Sequence, residues 1–308
     1  MKNLVTSTAA IFALTACLGS SESELPDYYV GKTEPAPMLA DNAKDIVEEL
    51  NDTSGYRFSF LSPFSVGRNK LEKLSLLDGM RRGLSPRQSL SEGYTSLGIS
   101  ETGGSADGPC GGTVSVDISA SQTNGKYTIS LKDYCETLDG SDITSNGSMV
   151  MDMSGSDNAG SVKFTLDITS TDGIDTQATA GRLVWSVSST GAVLMTLNMS
   201  SHDSKTDDSF KVENFVYEEN LLSPLTISAS GRVYASSLDG YVDITTPTKF
   251  TGESLYAGFS EGEMVFSAGS ATTTLTVRDD GECDLLVDED GDDVVELTET
   301  GECSGYLF

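Results

Sequence analysis

Histidine is all but missing from this chain, with His202 the one instance among 308 residues. A zinc site built on imidazole has no material, and the cysteines lack the CxxC spacing that would replace it. Basic residues are scarce as well: 19 Lys and Arg stand against 47 Asp and Glu, a formal net charge of −28. A surface of that sign repels phosphate backbones and anionic headgroups, which argues against nucleic acid as a partner. Beyond Cys17 no uninterrupted apolar stretch approaches the roughly 20 residues of a membrane-spanning helix. Phosphate-loop and dinucleotide glycine fingerprints are missing too.

What is present begins with a leader. Lys2 precedes an uncharged, mostly apolar run from Leu4 to Leu14, and small residues then lead to a cysteine, the pattern of a secretory signal. The four residues Leu14-Thr15-Ala16-Cys17 resemble the lipobox of bacterial lipoproteins. That resemblance covers only the first twenty or so residues. It implies that 1–17 form the signal segment, that Cys17 carries diacylglycerol and an acylated N-terminus, and that the membrane is reached through lipid. Buried acyl methylenes add about 0.8 kcal/mol each, so no protein span is needed. Leu18, where Asp would retain a lipoprotein at the inner membrane, resembles the sequences sorted onward to the outer membrane.

With Cys17 lipidated, Cys110, Cys135, Cys283 and Cys303 remain, an even number in an exported chain. Three connectivities are open to four cysteines. The nearer pairing, Cys110 with Cys135 and Cys283 with Cys303, is the expected one, since it closes loops worth roughly 3 kcal/mol each in the chain-entropy model. No thiol is then left for catalysis.

Residues 18–38 read as a flexible tether of Gly, Ser, Glu and Pro. A helical and loop segment, 39–109, is expected next. Leu39, Ala43, Ile46 and Leu50 repeat at helical spacing with Asp41 as the cap, and Leu71, Leu74, Leu77 and Met80 mark a second short helix ended by Gly83. The Ser- and Gly-rich run from Ser85 to Gly108 reads as a loop, with a boundary near Pro109.

From 110 to 308 the hydrophobic period is two. Val114, Val116 and Ile118 alternate with polar residues; Thr123-Asn124-Gly125-Lys126 reads as a turn; Tyr127, Ile129 and Leu131 return. The alternation recurs about a dozen times, with a phase shift at Asn214 that predicts a bulge. One apolar and one wet face mark antiparallel sheets, whereas parallel strands read as continuous apolar runs. The chain is therefore expected to be mainly β, a large antiparallel meander forming a curved half-barrel, barrel or sandwich, with two short N-terminal helices. Gly147, Gly181, Gly231 and Gly262, each two residues before an apolar strand residue, read as turn glycines of a weak internal repeat.

Asp288, Asp290 and Asp292, followed by Glu296 and Glu299, resemble positions 1, 3, 5, 9 and 12 of the calcium loop of EF-hands. Position 6, where that loop uses glycine, is Asp293, and the flanks read as strands, so the resemblance implies a hairpin loop with calcium as candidate ligand. A solvated acidic turn is the competing reading. Gly258-Phe259-Ser260-Glu261-Gly262 satisfies the G-x-S-x-G pattern, but no helix follows and His202 lies upstream of Ser260, the reverse of the hydrolase order. His202, in Ser-Ser-His-Asp-Ser-Lys, reads as a solvated loop residue. Met149, Met151, Met153, Met195 and Met199 suit either a core or an adaptable apolar pocket.

The segment from Gly240-Tyr241-Val242-Asp243 to the Asp-rich loop is similar to parts of uncharacterised exported lipoproteins of Gram-negative bacteria, which implies a compartment and no activity. The leading expectation is a non-catalytic binding or structural component of the envelope, with protein, polysaccharide or lipid as partner. A carrier of lipid or another apolar ligand is the alternative, and a hydrolase the third.

Overall fold

The computed structural model describes residues 24–54, 103–121, 123–138, 140–156, 159–220, 224–254, 258–278 and 280–303. The helix expected around Leu71–Met80 lies outside them, as does Cys17.

Among the described residues one helix, α1 (Ala43–Ser54), precedes a sheet of fourteen strands. These are β1 (Gly103–Asp107), β2 (Gly111–Ala120), β3 (Asn124–Leu138), β4 (Ser141–Ser156), β5 (Ala159–Thr171), β6 (Thr176–Val187) and β7 (Ala192–Asp203). They continue as β8 (Asp208–Asn220), β9 (Leu225–Ala235), β10 (Gly240–Ser254), β11 (Gly258–Ala268), β12 (Ala271–Val277), β13 (Glu282–Asp288) and β14 (Leu297–Glu302). Each strand pairs antiparallel with the next in sequence, and β1 and β14 are edges, so the sheet stays open and does not close into a barrel.

Period-two alternation becomes a single apolar face through the register. Ile118, Tyr127, Met151, Phe164, Leu183, Leu197 and Phe215 are successive partners from β2 to β8. Paired residues project to the same side, so this row packs as one stripe across seven strands. Buried side chains form two clusters. One, on β2 to β5, holds Val116, Tyr127, Met151 and Val162. The larger joins β7 to β14 to α1: Ala43, Ile46, Val47 and Leu50 of the helix belong to the same buried cluster as Phe250, Met264, Phe266, Leu275 and Leu285. The single tryptophan, Trp185, packs against both.

The bulge expected at Asn214 is present: pairing jumps between Glu213 and Val216, and Asn214 has φ 51°. The four glycines read as turns are instead inside β4, β6, β9 and β11. Gly231 (φ 145°) faces the Asn214 bulge, where an added Cβ would lie 2.5 Å from the Cα of Phe215. Gly262 (φ 152°) seats the ring of Phe250, which would come within 2.4 Å of a Cβ there. Bulges bend the strand that carries them and sharpen its twist, and glycines opposite let the neighbour follow.

Five expectations are corrected. β1 falls in the run read as a loop, N-terminal to Pro109, so the sheet begins earlier than 110. As an edge strand of five residues it carries no apolar signal to read. Gly125 is already paired with Ala120 and Ser121 N–H donates to Asn124 O, so Gly125 and Lys126 belong to β3 and not to the first turn. Asn42 rather than Asp41 directly precedes α1, while Leu39 lies outside the helix and is 45% exposed. Val294 and Val295 lie in the β13–β14 loop and are exposed, since β14 begins at Leu297. Finally, 24–38 are not a free tether: Asp27, Tyr28, Tyr29 and Lys32 contact the sheet, and Ala36 and Met38 are buried.

Candidate functional site: an acidic hairpin and a strap along one rim

Consecutive hairpins place the β5–β6, β7–β8, β9–β10, β11–β12 and β13–β14 connections on one rim of the sheet. The N-terminal segment follows that rim across the strands. On the polar face, Tyr28 donates its backbone N–H to Ser200 Oγ of β7 (2.9 Å) and its hydroxyl to Asp167 of β5 (2.8 Å). Lys211 of β8 stands between Asp27 (2.6 Å) and Glu213 (2.8 Å). Tyr29 packs on Tyr234 of β9, which in turn packs on Tyr241 of β10. Arg232 lies 3.9 Å from the centre of the Tyr241 ring and holds Asp243 through two nitrogens, at 2.6 and 2.7 Å.

At Tyr241 the segment changes face. The start of β10 extends past the end of β11, and Glu34 and Ala36 take up its free backbone groups: Tyr241 N–H donates to Glu34 O and Ala36 N–H to Tyr241 O. Ala36 and Met38 then enter the larger core, with Met38 against the buried hydroxyl of Thr273. Ala40 donates to Glu289, and Lys44 of α1 sits 3.7 Å from Glu299 of β14. A polar composition had suggested a tether; tyrosine hydroxyls, backbone bonding and ion pairs make it a strap.

The electrostatics follow from these contacts. Burial raises the Tyr28 hydroxyl, and the neighbouring Asp167 carboxylate raises it further, to about 12. Burial alone would lower the Lys211 ammonium, but hydrogen bonds from it to Asp27 and Glu213 outweigh that and push it up to about 12. Burial would raise the Asp27 and Glu213 carboxyls; the Lys211 ammonium overrides it and holds both below the ordinary carboxylate range.

The acidic hairpin ends on the same rim. Asp288 organises its loop: Oδ1 accepts from Gly291 N–H (2.7 Å) and Oδ2 from Asp293 N–H (3.0 Å). Asp290 accepts from Asp292 N–H and Asp292 from Val294 N–H. Asp293 adopts φ 66°, supplying in an aspartate the left-handed conformation that the resemblance assigned to glycine. Carboxylate oxygens of Asp288, Asp290 and Asp292 come within 4.8 Å of one another. Oxygens ligating one calcium at 2.3–2.6 Å are separated by up to about 5 Å, so these three fit one ion, with water or carbonyls completing six to eight ligands.

The five-residue set is not assembled as expected. Glu296 closes the base of the loop by accepting from Glu289 N–H (2.9 Å). Glu299 is already in β14, paired with Leu285 and facing Lys44. Strand geometry carries it up the ladder, where a helix would have returned it to the ion.

The expected disulfides are present, Cys110–Cys135 and Cys283–Cys303, with Cα separations of 5.1 and 4.9 Å. The first staples β2 to β3 where Gly111 pairs with Cys135; the second brackets β13 and β14 at the rim opposite the acidic loop. Ser260 is inside β11 and donates to the Thr251 carbonyl of β10, while His202 is in β7, four strands away. At about 4.8 Å per strand the two are roughly 19 Å apart, and the structure does not bring them together. His202 is a strand residue and not a solvated loop residue; its Nδ1 is buried, as is Ser209 Oγ on its register partner.

Searches of protein-family models, curated proteins and solved structures found no match to this chain.

Proposed function

We propose that this protein is a lipid-anchored component of the bacterial envelope, held in the outer membrane through Cys17, with a non-catalytic binding or structural role and a calcium-stabilised β13–β14 hairpin. The observation that carries this reading is the construction of that hairpin. A disulfide holds one end, and at the other a loop preformed around Asp288 converges three carboxylates. Two disulfides in the described sheet accord with an oxidising, extracytoplasmic compartment. A bound cation would relieve the mutual repulsion of the three aspartates and tie the hairpin to the strap that touches it at Glu289.

Thermal unfolding of the mature chain in calcium and in chelator, repeated for Asp290→Asn, tests the calcium part. Ion at a hundred times its dissociation constant, bound only by the folded state, adds about 2.7 kcal/mol, and the variant loses that gain. Equal melting of wild type with and without calcium removes it. Palmitate incorporation, lost in Cys17→Ala, tests the anchor.

A second reading, a carrier of lipid or another apolar ligand, is favoured by the methionines. Met149, Met151, Met153, Met195 and Met199 all lie on the apolar face, and Met195 pairs with Trp185. Flexible thioethers suit an adaptable surface. Mass spectrometry of an organic extract of the purified protein decides this: stoichiometric lipid supports a carrier, and its absence leaves the methionines as core.

A further inference from the structure

No further inference is drawn: the strongest candidate, the surface patch of exposed Leu39, Val294 and Val295 beside the acidic β13–β14 hairpin, belongs to the site already described, and nothing in the structure shows what covers those three side chains.

Discussion

The side-chain Oδ1 of Asn198 accepts the backbone N–H of Asn214 from the adjoining strand at 2.7 Å. It thereby satisfies a donor that the bulge in β8 takes out of the ladder. The same arrangement occurs in β3, where Asp133, at φ 48°, donates its N–H to Oδ1 of Asn146 at 2.8 Å. Two bulges far apart in sequence thus use one solution, an asparagine on an adjacent strand standing in for a backbone carbonyl.

Asn198→Ala leaves the Asn214 N–H to solvent. Because the bulge is exposed, the expected cost is about 0.5–1.5 kcal/mol, the net worth of one hydrogen bond. Urea unfolding reads it; a midpoint unchanged from wild type would show that water replaces the amide without loss.

How much of this was legible in the sequence depends on the range of the forces involved. Period-two alternation is local, and it carried the antiparallel sheet, the apolar face and the Asn214 bulge. Local cysteine spacing carried both disulfides. Gly147, Gly181, Gly231 and Gly262 were misread because glycine marks any close approach of backbones, and only the register shows that these approaches occur within strands. The strap was illegible for another reason. Tyr28 meets Ser200 at a separation of 172 residues and Lys32 meets Asp239 at 207, and such pairings leave no periodic trace. In the acidic hairpin, Asp288, Asp290 and Asp292 were readable from spacing; Glu299 was not, because the template came from a helix and the residue sits in a strand.

Gly262→Ala is expected to be among the most damaging single-methyl changes in the described sheet. It combines a strained φ with displacement of Phe250, which is 1% exposed. Strain of about 1–3 kcal/mol and overpacking of similar size are both incurred. Calorimetry of this variant beside Ser260→Ala, on the wet face of the same strand, measures the contrast; similar melting temperatures would contradict the seat assigned to the Phe250 ring.

Docking of the strap has a pH window with two ends. Asp27 and Glu213 have lowered pKa values, so their contribution is full above the unfolded carboxylate range and is lost as pH falls through the folded values. Lys211 is raised to about 12, so its contribution is full below its ordinary value and is lost as pH rises through about 12. Hydrogen exchange of 27–29, corrected for intrinsic rates, is expected to be flat from about pH 5 to 9 and faster near pH 3. Equal protection at pH 3 and 7 would mean that the tyrosines alone hold the segment.

The two disulfides differ in access. Cys110 is exposed, whereas Cys283 and Cys303 belong to the larger core, at 0% and 6% exposure. Graded reductant with alkylation and peptide mapping should trap Cys110 and Cys135 first. The Cys283–Cys303 bond closes 20 residues, and its removal by paired serine substitutions should cost roughly 3 kcal/mol. Simultaneous reduction of both bonds would indicate that the sheet opens globally before either sulfur pair is reached.

Every strand of the sheet bonds to the strand that follows it, so the ladder can assemble hairpin by hairpin as the polypeptide arrives, with only short loops to close at each step. The strap is the exception, since Ala40 waits for Glu289, 249 residues further on. The end of the chain that leaves the ribosome first is therefore among the last to find its place. The fold has a finishing step, completed only after β14 exists, and until then the apolar face that α1 shields is open to whatever the chain meets.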